Sequence, residues 1–207
     1  MKALVIGNLG SIGSRYCAIL KYLGVDWVGV DIQGTVEYDD ITHAIIATPT
    51  ETHYEKILQI ASLGIDNILC EKPLVQDLKL FPYFNGIRSA LDIRMVCNWK
   101  YALPPGALDI HYANYNTGKD GTGWDCIQLI YQARNLTIDT EQPFFSCKTV
   151  DPSCNCKKDI SLTDIEQSYI TMIKHWLELD GFKNDLWTLS QALQATEQTI
   201  NWIKENE

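Results

Sequence analysis

Three glycines, one aspartate and one lysine have the types and spacing to do chemistry together. Gly7, Gly10 and Gly13 fall in "GNLGSIG", between the apolar run "KALVI" and the segment "SIGSRYCAILKYLG". Glycine at such a junction lets the backbone turn tightly and approach a pyrophosphate, while the N-terminus of the following helix offers N–H groups and a favourable dipole. Asn8, Ser11 and Ile12 belong to the same loop. The spacing is GxxGxxG rather than GxGxxG, so either Asn8 stands in for a motif glycine or the loop carries one extra residue. Asp31 closes "DWVGVD" about twenty residues on, where a dinucleotide fingerprint places an acid against the adenosine ribose. A carboxylate there accepts from ribose hydroxyls and repels a 2′-phosphate, so the expected cofactor is NAD(H), with NADP(H) disfavoured. Lys72 sits in Glu71-Lys72-Pro73, straight after the apolar "NILC". A lysine at a partly buried strand end can lower its pKa and move a proton. Pro73 fixes the chain as it leaves the strand, with a cis peptide bond as one way of doing so.

These residues need a parallel sheet to hold them. Residues 2–7, 26–31, 43–49 and 66–73 read as short buried strands. Helices separate the first pair and the last pair. The first helix places Ile12, Tyr16, Ile19, Leu20 and Leu23 on one face and stops at Gly24. The second carries a Thr52-x-x-Glu55 capping box and ends near Gly64. Strands alternating with helices predict an α/β fold, a doubly wound parallel sheet. In such sheets ligands lie beyond the carboxyl ends of the strands, where Thr48-Pro49 and Glu71-Lys72-Pro73 both fall.

The pattern changes near residue 100. "LPPG" (103–106) interrupts the chain. Residues 108–116 read as a strand, "GWDCIQLIYQAR" as a helix, and "PFFSCKTVD" as a further strand. Thr163 and Glu166 form a second capping box ahead of Ile165, Tyr169, Met172, Ile173 and Trp176. Leu186, Leu189, Leu193, Ile200 and Ile203 stripe a last helix. Two units are expected: residues 1–100 around a dinucleotide site, and 101–207 as a reduced α+β domain.

The 207 residues carry a net charge of −9 and are 46% hydrophobic, enough for a substantial core. An acidic balance without a Lys/Arg cluster argues against nucleic acid or an anionic membrane as partner. No apolar run reaches the length of a membrane span, and "MKALVIGNLG" reads as a first strand rather than a signal peptide. Cys17, Cys70, Cys97 and Cys126 sit in apolar runs, as core thiols in a reducing, cytoplasmic setting do. Cys147, Cys154 and Cys156 have the spacing C-x6-C-x-C, which does not match a zinc site, so no metal is expected.

The run "VIGNLGSIG … IIATPTETHYEKILQIASLGIDNILCEKPL" resembles the Gfo/Idh/MocA oxidoreductases, in which an "EKP" signature follows a "TPxxxH" segment and a helix. "MVCNWKYALPP" is similar to the family segment that re-crosses into a second domain. "DISLTDIEQSYITMIKHWL" is similar to a late helix. The resemblance implies a Rossmann domain, a bound nicotinamide dinucleotide and reversible oxidation of a hydroxyl on a sugar, sugar nucleotide or cyclitol. It makes Lys72 the catalytic lysine. Thr48, Pro49 and His53 line the nicotinamide side, with Thr50, Glu71, Pro73 and Asn98 grouped beside them. His53 also reads as a first-turn helix residue packed on the sheet.

Three features depart from that family. Asp31 and His43 are too close to hold the usual helix–strand–helix, and the second half is short for a broad open sheet. A smaller sheet implies a smaller surface for homo-oligomer formation. The family His and Asp of the second-domain helix align with Asp125 and Gln128. An Asp takes a proton, whereas a Gln only hydrogen-bonds. Neighbouring Trp124 either stacks on a sugar ring or packs in the core, the core being the commoner fate. A dinucleotide-binding protein without turnover, and a reductase similar to biliverdin reductase, therefore stand beside the sugar-dehydrogenase reading.

Overall fold

A computed structural model describes residues 1–31, 39–75, 77–87, 91–96, 110–118, 124–132, 162–194 and 197. Five parallel strands come first: β1 (Lys2–Ile6), β2 (Asp26–Val30), β3 (His43–Ile46), β4 (Asn67–Cys70) and β5 (Asp92–Met95). Helix α1 (Ser11–Tyr22) joins β1 to β2, α2 (His53–Ser62) joins β3 to β4, and α3 (Phe81–Ile87) precedes β5. The apolar runs are strands because they are covered on both faces. Ala3, Leu4, Val5, Ala44, Ile45, Ile46, Ile68, Leu69 and Cys70 are all fully buried. Gly24 and Gly64 follow α1 and α2 with φ of +68° and +74°, the left-handed conformation that ends a helix.

The strand order is β2-β1-β3-β4-β5-β8, with β8 (Trp187–Thr188) antiparallel to β5. This is a Rossmann-type doubly wound sheet. Its order reverses between β1 and β3, so the crevice for a ligand opens there. The expected last helix begins differently: Leu186 precedes β8, and the helical turns start after it, at residues 189–194. Arg94 Nη1 donates to Leu186 O at 3.0 Å, and Met95 pairs with Trp187. An available sheet edge overrode helical periodicity at this point. Ile200 and Ile203 lie outside the described residues.

The chain divides into two compact units, residues Met1–Val96 with Leu186–Leu193, and Cys97–Asp185 with Gln194–Glu207. In the second unit, β6 (Ile110–Gly118) and β7 (Trp124–Gln132) pair antiparallel over their full lengths, from Ile110↔Gln132 to Gly118↔Trp124. Residues 124–132 are therefore strand, not helix. Trp, Ile and Tyr favour strands, and nine residues are too few for periodicity to outweigh a ladder to β6. Helix α4 (Leu162–Trp176) begins one residue before Thr163, the expected cap. The strand expected at 143–151 and the three clustered cysteines lie outside the described residues. Among the described residues no helix is long and apolar enough to cross a membrane, and no group of three His, Cys, Asp or Glu could hold a metal ion.

Candidate functional site

The register brings Ile6, Val30, Ile46, Cys70 and Met95 level across the sheet. The ladder runs one residue further: Gly7 N donates to Val30 O at 2.8 Å, Ala47 N to Ile6 O at 3.0 Å, Glu71 N to Ile46 O at 2.9 Å and Val96 N to Cys70 O at 3.0 Å. The carboxyl edge thus presents Asp31, Gly7, Ala47 and Glu71 in a row, with Asn8, Thr48 and Lys72 one residue beyond. Three strand spacings, about 14–15 Å, separate the Asp31 position from that of Lys72.

The glycine turn is shaped by close contacts. Gly7 has φ +83°, and a Cβ on it would lie 2.7 Å from Ala47 O and 3.2 Å from Thr48 Cγ2. A Cβ on Gly13 would collide with Gly7 O, so helix and strand meet through that glycine. Gly10 is the N-cap of α1, whose first turn has no side-chain cap and no acidic residue. Gly10 N donates to Gly7 O at 3.0 Å. Gly7, Gly10 and Gly13 therefore take the three parts of the fingerprint: tight turn, open helix N-terminus and close helix packing. Asn8 replaces none of them; Asn8 and Leu9 fill a step that the usual spacing gives to one residue. Ser11 and Asp31 are exposed, and Ile12 is half-buried.

Asn8 folds its carboxamide over Gly29 on β2, where an added Cβ would collide with Nδ2. Its Oδ1 is buried and has no hydrogen-bond partner among the described residues. The site thus fits a dinucleotide: backbone cleared by glycine, helix amides open to an anion, and a buried acceptor awaiting a donor.

Glu71 is buried and turned inward. Its Oε1 accepts from the buried Tyr16 hydroxyl of α1 at 2.5 Å, and its Oε2 accepts from Lys72 N at 3.1 Å. Lys72 is half-buried, and the Lys72–Pro73 bond is cis. Burial raises the Cys70 thiol well above its usual pKa, with Glu71 adding to it, so this cysteine behaves as an apolar side chain.

His53 lies inside the protein. Nδ1 is 3.0 Å from Pro73 O and Nε2 is 2.9 Å from Thr48 O, so each ring nitrogen faces a backbone carbonyl and a neutral ring donates to one of the two. Burial lowers its pKa, outweighing the carbonyls and Glu71, which favour the charged form. The ring ties the end of β3 to the Glu-Lys-Pro loop and offers no nitrogen to a ligand.

Thr52 does not cap α2. It has helical φ and ψ, with no side-chain cap bond, because a 3-10 turn (Thr50–Thr52) comes first. Its hydroxyl lies 2.7 Å from both Thr48 Oγ1 and Pro49 O, donating to the carbonyl and accepting from the Thr48 hydroxyl. Thr48 is buried, Pro49 exposed and Thr50 half-buried. Asn98 lies outside the described residues.

The description "Oxidoreductase family, NAD-binding Rossmann fold" matches residues 14–80. That description is of the Gfo/Idh/MocA oxidoreductase family, whose model this stretch, about a third of the chain, matches. No curated protein matches the chain. A probable dehydrogenase from Thermotoga maritima is 21% identical over 49% of this chain and 37% of its own, with a TM-score of 0.40. A scyllo-inositol dehydrogenase from Lactobacillus casei, solved with NAD(H) and scyllo-inositol, is 19% identical over the same shares, with a TM-score of 0.39. An oxidoreductase from Agrobacterium radiobacter, solved with NAD+, L-tartaric acid and magnesium, is 10% identical over 100% of this chain and 97% of its own, with a TM-score of 0.55, a likeness of fold. The chain thus spans little more than a third of the length of the first two. Within the matched segment, Glu71 and Lys72 follow β4 and Thr48 follows β3, while the glycine turn lies just before the matched residues.

Asp125 and Gln128 lie on β7, paired with Thr117 and Asn114. The alignment that put them on one helical face does not survive, since strand positions three apart alternate sides. Sequence reasoning gave Tyr16 no role beyond the core, because its partner is 55 residues away and no local pattern reports it. Gly29 did carry a signal: a glycine inside an apolar strand marks a close approach.

Proposed function

We propose that this chain binds NAD(H) along the carboxyl edge of its sheet and serves a hydride exchange with a hydroxyl or carbonyl of a sugar, sugar nucleotide or cyclitol. The observation that carries the reading is the row of Asp31, the Gly7 turn, Thr48 and Lys72 across four adjacent strand ends. Gly7, Gly10 and Gly13 clear the pyrophosphate path, and the α1 amides meet its charge. Asp31 accepts from the adenosine ribose. A bound nicotinamide supplies the hydride acceptor or donor. Lys72 moves the proton on the substrate oxygen, held in place by the Glu71 carboxylate on its backbone N–H. Titrating the full chain with NADH, then screening polyols and sugar nucleotides for absorbance change at the nicotinamide band, tests this. Saturable binding with turnover supports it, and turnover that persists unchanged in Lys72→Ala would remove the lysine from its role.

A second reading, a dinucleotide-binding protein without turnover, is favoured by the strand assignment of Asp125 and Gln128. The acid–base pair that the family carries on a helix has no helical counterpart there. Tight NADH binding with no turnover on any hydroxyl substrate supports this reading.

A further inference from the structure

We infer that Asn8 is a specificity-determining residue for the cofactor's adenosine ribose, acting beside Asp31. The inference rests on the NAD(H) reading above and goes further, because it gives chemistry to the residue by which this glycine turn exceeds the usual spacing. Two observations meet at Asn8. Its Oδ1 is a buried acceptor without a partner among the described residues. Buried polar atoms are nearly always paired, so an unpaired one at a ligand crevice points to a donor supplied by the ligand. Its carboxamide also has a place made for it, since only the missing Cβ of Gly29 lets the side chain lie over β2. Residues two apart on a strand share a face, which puts the Asn8 side chain on the Asp31 side of the sheet edge.

The donor that this location offers is a ribose hydroxyl. A hydroxyl satisfies Oδ1, whereas a 2′-phosphate brings ionised acceptors and leaves it unpaired. Asn8 and Asp31 then discriminate in the same direction, one by a hydrogen bond gained and the other by charge repelled.

The test is calorimetric titration of the full chain with NADH, NADPH and ADP, which keeps the adenosine ribose and lacks the nicotinamide half. Asn8→Ala is expected to weaken NADH and ADP by the same factor, about 3- to 10-fold, as loss of one hydrogen bond does. NADPH should weaken less, so the preference narrows. Asn8→Asp keeps an acceptor, so it should hold NADH and weaken NADPH further, which a purely structural role would not do. Gly29→Ala displaces the carboxamide and should reproduce Asn8→Ala; a thermal melt of each variant separates misfolding from lost contact. Wild-type binding with NADH and NADPH weakened equally in Asn8→Ala, or neither weakened, overturns the inference and leaves the cofactor reading standing. Absence of NADH binding by the wild type overturns both.

Discussion

Lys72 stands where proton transfer is proposed, and neighbouring side chains help to build its setting. Tyr16 donates to Glu71, and Glu71 accepts from the Lys72 backbone N–H. In any preparation that turns over, Lys72→Ala should lower kcat by about 10²- to 10⁴-fold while NADH affinity changes little, because a proton-transfer group acts in the transition state. Steady-state kinetics beside a binding titration check this. Tyr16→Phe leaves a buried carboxylate short of one charge-assisted bond, and urea unfolding should show a loss of about 1.5–3 kcal/mol. His53 gives a pH dependence. Its folded pKa lies below the unfolded value near 6.5, so the unfolded chain binds the proton more readily. Its contribution is fully present above the unfolded pKa and declines as pH falls from there towards the folded pKa. His43 shifts in the same direction, also through burial, so His53→Gln should flatten only part of the acid limb of a stability–pH curve.

At the scale of elements, the glycine turn, α1 and the first four strands were legible because each is marked locally: an apolar run, a glycine stop, an acid at a strand end. The strand ends were legible in kind but not in register, since levelling Gly7, Ala47 and Glu71 depends on pairing across distant segments. Thr52 was misread because Thr-x-x-Glu reports a cap only when the first residue lies outside the helix, and a 3-10 turn had already begun there. Residues 124–132 were misread because a short apolar run fits either period until a partner strand is known. Thr52→Ala should therefore act at the junction of β3 and α2, where two hydrogen bonds end on its hydroxyl. A loss of about 1 kcal/mol in chemical unfolding is expected, without the fall in helix content that a lost cap would bring.

At the scale of the whole molecule, the first unit is completed by residues far along the chain. Leu186, Trp187, Leu189, Ala192 and Leu193 are each at most 5% exposed, and Trp187 pairs with Met95 on β5. Trp187→Ala should cost about 3–5 kcal/mol and lower the melting temperature of the first unit, although residues 1–96 alone hold all five parallel strands. A change of pattern near residue 100 was visible. The return of 186–193 was not, because an antiparallel edge pairing leaves no local mark in a stripe of leucines. The proposed cofactor site rests on the sheet edge of the first unit. Calorimetric titration of the full chain with NADH and with NADPH reads that edge without needing a substrate. Saturable binding that is tighter for NADH is the predicted result; binding of neither, or binding of NADPH as tightly as NADH, would contradict the roles given to the glycine turn and to Asp31.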